Sequence, residues 1–162
     1  MDYMLSPSAL TRLQYQHTTI RELIAGLSEQ QLKRVLVPGK WSAFDNIAHL
    51  ACYQPMFLLR LERIQTENAP SFDRYVAESD PIFPDYQELP LGELLKGIDA
   101  RRAVIFSKLQ GMGEDDLKKI AHHPRYGSLD VVKWTEFFLL HEAHHLYTIF
   151  MLVQELRKTL PG

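Results

Sequence analysis

Cysteine is nearly missing from this chain: Cys52 stands alone among 162 residues. One thiol cannot form an internal disulfide framework or a cysteine-rich zinc module, and such sparing use fits a reducing, cytoplasmic location. A basic excess is missing too. The chain carries 18 Lys and Arg against 20 Asp and Glu, a formal net charge of −2. The basic residues form no run, so the electrostatic footprint of a general nucleic-acid binder is not there. Long apolar runs are equally scarce. The longest uncharged stretch near the C-terminus, Ala143 to Gln154, contains two histidines and is too short to span a bilayer. Met1-Asp2-Tyr3-Met4 places an acid where a signal peptide needs basic residues. Neither nucleic acid nor membrane is an expected partner. What remains is a chain with 46% hydrophobic and 23% charged residues, enough to bury a core as one domain over residues 1–162.

The apolar pattern is helical throughout, and no strand pattern competes with it. Leu10, Leu13, His17, Ile20, Ile24 and Leu27 recur at spacings of three and four, one stripe on a first helix that Ser6-Pro7 would start. Pro38-Gly39 breaks the chain. Ser42 with Asp45 three residues on reads as the cap of a second helix, carrying Ile47, Leu50, Phe57, Leu61 and Ile64 past Pro55. From Glu67 to Pro90 four prolines (Pro70, Pro81, Pro84 and Pro90) interrupt any stripe. A loop of that length is expected to cross the domain or cover a site. A third helix is predicted from near Pro90 to Gly111-Met112-Gly113, and a fourth from Ser128 to about Leu156. Short links favour antiparallel neighbours, and the long middle link lets the second and third helices run parallel. The expected fold is an all-α four-helix bundle, up-down-down-up, with a long crossover between helices 2 and 3.

Chemistry concentrates at His141-Glu142-Ala143-His144-His145. On a helix, positions i and i+4 lie about 40° apart and one turn apart in height, so His141 and His145 can hold one ion. Both continue the seam Trp134, Phe138, His141, His145, Thr148, Leu152. Two core histidines satisfied by neighbours are the plainer alternative. The run also matches H-E-x-x-H, but the extended metzincin pattern would need glycine at Thr148 and histidine at Met151. Only 17 residues follow His145 to supply a further ligand.

A third ligand should come from upstream. With Ser128 opposite Thr66 in antiparallel helices, His49 and His145 each lie 17 residues from those ends and reach equal height. His49 sits about 120° off the aliphatic stripe of its helix, with Tyr53, Met56 and Arg60. That position suits the wall of a cleft; a half-exposed surface histidine is the alternative. His17 is expected to pack in the core or to line the pocket. His122 and His123 fall too far back to share the ion, and His144 points away from the His141–His145 face. Cys52 reads as a small core residue.

Three passages together resemble the DinB/YfiT-like family of small four-helix-bundle metal proteins. Pro38-Gly39-Lys40-Trp41-Ser42 with His49-Leu50 is similar to its P-G-K-W-S…H-L segment. His123-Pro124 with Gly127-Ser128-Leu129 is similar to its H-P…G-x-L lead-in. His141-Glu142-Ala143-His144-His145-Leu146 resembles its H-[DE]-x-H-H-L signature. The resemblance implies a divalent metal on His49, His141 and His145, the up-down-down-up topology and a homodimer. The family name refers to induction by DNA damage, without implying DNA binding.

Three neutral imidazoles suit zinc, nickel or iron and leave a coordination position open for water or substrate. Hydrolysis of a small molecule is the first reading, with Glu142 as base or as acceptor for a ligand N–H. The resemblance also implies a second: thiol S-transfer, in which the metal binds a low-molecular-weight thiol of the bacillithiol or mycothiol type. A non-enzymatic metal-binding dimer is the third. Phe137, Leu140, Phe150 and Val153 surround the fourth helix, which is therefore central to the bundle or part of a subunit contact. The 67–90 segment, with Phe72, Tyr75, Phe83 and Tyr86, is expected to overhang the site.

Overall fold

The structure is a computed structural model that describes residues 3–160. Its first rod is α1 (Pro7–Tyr15) followed by α2 (Thr19–Leu23). Ser6 caps α1 through the Ala9 N–H, with proline in the first turn. A 3₁₀ turn at Gln16–Thr18 interrupts the rod, tightened by the Thr18 hydroxyl donating to the Tyr15 carbonyl. The stripe nevertheless survives, with Leu13, His17, Ile20 and Ile24 all buried. A single-turn α3 (Glu29–Leu32) follows.

The second rod, α4 (Ala43–Thr66), opens with a reciprocal cap. The Asp45 N–H donates to Ser42 Oγ, and the Ser42 N–H donates to Asp45 Oδ2. The helix runs unbroken through Pro55. The crossover is more ordered than a bare loop. It holds a 3₁₀ turn at Ala77–Ser79 and α5 (Phe83–Glu88), and it buries Phe72, Ala77 and Phe83. The third rod is α6 (Leu91–Gln110), followed by the short α7 (Glu114–Leu117).

Two expectations require correction here. Strands do occur: β1 (Ile120–His123) pairs antiparallel with β2 (Gly127–Asp130). The fourth helix, α8 (Val131–Lys158), consequently begins three residues after Ser128, capped by Asp130, whose Oδ1 accepts from the Lys133 N–H. Four residues per strand are too few for an alternating pattern to stand out. The hairpin is held instead by local devices. Gly127 takes a positive φ of 72°, and His123 Nδ1 accepts from the Arg125 and Tyr126 N–H groups. β1 also anchors the crossover, because the Phe72 N–H donates to the His122 carbonyl and the His122 N–H to Pro70.

Contacts fix the directions of the rods. Asn46 meets His145 and Tyr53 meets Phe138, so α4 and α8 are antiparallel. Gln54 meets Arg102, and Gln65 meets Met112 just past the end of α6, so the second and third rods run parallel. Arg12 reaches Glu136 while Arg157 reaches Leu23, so the first and fourth rods are parallel too. The bundle is up-down-down-up.

Its core has two apolar clusters, one around Ile20, Phe44, Ile47 and Ile149, the other around Leu13, Phe57, Ile105 and Phe138. Between them lies a buried polar layer. Arg102 pairs with Glu142 and also reaches Gln54, the Leu13 carbonyl and His17.

Candidate metal centre

α4 and α8 bring His49, His141 and His145 together, each offering one ring nitrogen, all within 4.8 Å of one another. His49 Nε2 and His141 Nε2 are 3.0 Å apart. The antiparallel register explains the meeting: one residue from α4 sits level with two residues a turn apart on α8. His49 is only 4% exposed, so it is not a half-exposed surface histidine. Aromatic rings wall the group. Tyr53 stacks on His141 at 4.1 Å, Trp41 lies 5.1 Å from His49, and Tyr75 from the crossover stacks on His49 at 5.8 Å.

Burial decides the protonation state. It draws His49 down to about 4. It draws His145 to about 3 and His141 to about 2, with neighbouring histidines adding to the effect. At neutral pH all three rings are uncharged and keep a lone pair. The His145 Nδ1–H donates to Asn46 Oδ1 at 2.8 Å, while the Asn46 amide donates to the Ser42 carbonyl. That contact leaves the His145 Nε2 lone pair free. The Nδ1 atoms of His49 and His141 are buried without a hydrogen-bond partner. Three neutral imidazoles, each offering one ring nitrogen within 4.8 Å of the others, are a donor set that fits a divalent transition metal.

The remaining candidates lie elsewhere. Glu142 is 1% exposed and faces the polar layer, its Oε1 accepting from Gln16 and its Oε2 from Arg102. A one-residue step along a helix turns a side chain by about 100°, and here that turn carries Glu142 into the bundle interior. It accepts no hydrogen bond from the three rings. His17 belongs to the same layer, beside Arg102 and Asp99. His144 is exposed, and His122 meets Ser128. Cys52 is buried next to Tyr75 and Asp80, and burial pushes its thiol up to about 11.

The histidines open onto a cavity of about 570 Å³, lined also by Trp41, Tyr53, Tyr75 and Glu78 and, farther out, by His123 and Phe137. The crossover does overhang the site, through Tyr75 to Glu78; Phe72 packs instead on Trp134. Asn46 escaped the sequence reading. Its one signal was an amide three residues before His49 on the buried side of a helix.

An up-down-down-up bundle with three histidines clustered between its second and fourth rods defines a class of four-helix bundle with a candidate metal site. Residues 12–149 match the DinB superfamily, and the chain belongs to it. Two proteins of Oceanobacillus iheyensis named as candidate metal-dependent hydrolases are similar to it. One is 27% identical over 82% of this chain and 77% of its own length. The other is 23% identical over 85% of this chain and 79% of its own. Among solved structures, YfiT from Bacillus subtilis, described as a probable metal-dependent hydrolase with an unusual four-helix bundle topology, superposes with a TM-score of 0.80. It covers 91% of this chain and 85% of its own at 16% identity, a likeness of fold.

Proposed function

We propose that this protein is a metal-dependent hydrolase of a small molecule, with His49, His141 and His145 holding a divalent ion such as zinc, nickel or iron. The observation that carries the reading is the convergence of three neutral imidazoles from two antiparallel helices at the floor of a cavity of about 570 Å³. A metal so held supplies a Lewis acid and lowers the pKa of bound water toward about 7. The chain's own contributions are positional. Asn46 orients His145, Tyr53 and Trp41 pack the rings in place, and Tyr75 closes one side. Glu142 supports the helix that carries two of the histidines, through Arg102 and Gln16.

Thiol transfer is the second reading. The buried Cys52 thiol, held protonated at neutral pH, cannot serve as its nucleophile; a small external thiol would have to. The test is elemental analysis of purified protein beside the His49→Ala and His145→Ala variants, followed by turnover of an ester panel with and without added thiols. The expected result is about one transition metal per chain, lost in both variants, with ester cleavage that needs no thiol. Protein that takes up no metal would refute both readings, and turnover only with thiol would select the second.

A further inference from the structure

The outer part of the same cavity has a charge pattern that metal binding does not explain. Its lining includes Arg60, Arg74 and Arg125, with Glu78 as the single acid. Among the described residues none of these arginines is in an ion pair, whereas Arg12, Arg21, Arg63 and Arg102 each hold a carboxylate. Arg34, Arg101 and Arg157 are also without a carboxylate, but none of them lines this cavity.

Arg60 is the informative member. It is 8% exposed, and its guanidinium is packed against the rings of Phe72 and Trp134 at 5.3 and 5.4 Å. Its side-chain hydrogen bond is from Nη2 to the backbone carbonyl of Asp73 at 2.8 Å. A guanidinium carries five N–H donors. Burying that charge without a counter-ion is costly, and burial indeed draws its pKa below the ordinary arginine value. Arg63, one turn on, shows what ordinary pairing looks like, with Glu67 accepting twice. Arg125 stands over Tyr126 at 5.6 Å on the hairpin, and Arg74 comes from the crossover. Asp73 acts on Arg60 from beyond ion-pair distance, and three separate segments thus turn positive charge without an ion-pair partner into one cavity.

We infer that Arg60, with Arg74 and Arg125, binds an oxyanion, a carboxylate or phosphate group at the far end of the substrate whose reacting group meets the histidines. The inference rests on the reading above and names the substrate class of that site. Trp134, beneath Arg60, precedes His141 by two helical turns, about 10 Å. The substrate is therefore an elongated anion, with the aromatic walls between the two ends accommodating an apolar or planar middle.

Phenylphosphonate, benzoate and the neutral benzyl alcohol serve as probes. Each is titrated at low salt into the full chain, as purified and again after chelation, and followed by calorimetry and by the arginine Nε–H resonances. The anions are expected to bind with or without metal and to weaken with added salt, while benzyl alcohol binds at least about tenfold more weakly. Their relative affinities distinguish a phosphate-selective from a carboxylate-selective subsite. Arg60→Met, which keeps most of the packed stem, should lower anion affinity at least about tenfold without weakening zinc binding, read with a competing chelator, because the charge it removes is a cation acting on His141. Anion binding no tighter than that of benzyl alcohol, or unaltered in Arg60→Met, overturns the inference. If Arg60→Met does not fold, the surface variant Arg74→Ala/Arg125→Ala decides, and unchanged anion affinity there overturns it equally. Failure to bind zinc with anion binding intact would refute the metal reading alone.

Discussion

Asn46 and Glu142 sit one short step from the histidines yet have opposite relations to them. Asn46 touches the site through His145 Nδ1, and the same amide is tied back to the Ser42 carbonyl at the helix cap. Removing such a partner from a ligating imidazole commonly lowers metal affinity about 10- to 100-fold. Asn46→Ala should do so in a zinc competition titration, with Asn46→Asp losing less because it preserves the acceptor. Glu142 touches the polar layer instead. Breaking a buried ion pair by removing one partner costs about 3–5 kcal/mol, so Glu142→Ala should lower the denaturation midpoint strongly while the metal stoichiometry of the folded fraction stays the same. Glu142→Gln, which keeps the shape and the acceptor toward Gln16, separates the two roles. Retained ester turnover per folded molecule supports a structural carboxylate; abolished turnover with an intact fold would restore it as the base.

Along each helix, the seam and the site make different demands. α8 buries Trp134, Phe138, Leu139 and Val153 on the face that meets the other rods, while His141 and His145 share its boundary with the cavity. The depressed histidine pKa values make the α4–α8 contact pH-sensitive in the metal-free protein. An unfolded histidine titrates near 6.5 whereas these folded ones titrate near 2 to 4, so below 6.5 the unfolded chain binds more protons. Stability is therefore fully present above about pH 6.5 and falls as pH drops toward 4. The slope is at most about 1.4 kcal/mol per histidine per pH unit. Urea melts of chelated protein at pH 7.5 and 5.0 should show this loss, and His141→Leu should flatten the dependence. Seam and register were legible because burial on a regular helix repeats every three to four residues, which the stripe of the first rod shows through its 3₁₀ break. The hairpin at 120–130 was not legible. Its few residues carry no period, and it exists because Gly127 turns, His123 organises the turn and the crossover docks on β1.

For the molecule as a whole, no helix among the described residues is long and apolar enough to cross a membrane. α8 does leave one stripe uncovered, with Leu140, Tyr147 and Met151 each more than half exposed at spacings of seven and four and His144 between them. That repeat matches the seam of paired helices, and we propose that a second copy of the chain covers it. Sedimentation at micromolar concentration should show a dimer that Tyr147→Glu converts to monomer; a wild-type monomer would reject the proposal. Periodicity in the amino-acid order was sufficient to specify four rods, and residue counting along an assumed antiparallel pair put His49 near the height of His141 and His145, because helical rise and pitch turn residue counts into distance. Which neighbours those side chains find depends on contacts far apart in the chain. Arg102 claiming Glu142, Asn46 reaching His145, and arginines from α4, the crossover and the hairpin gathering around one cavity all follow from how the rods and their connections pack, and residue spacing carries no record of that.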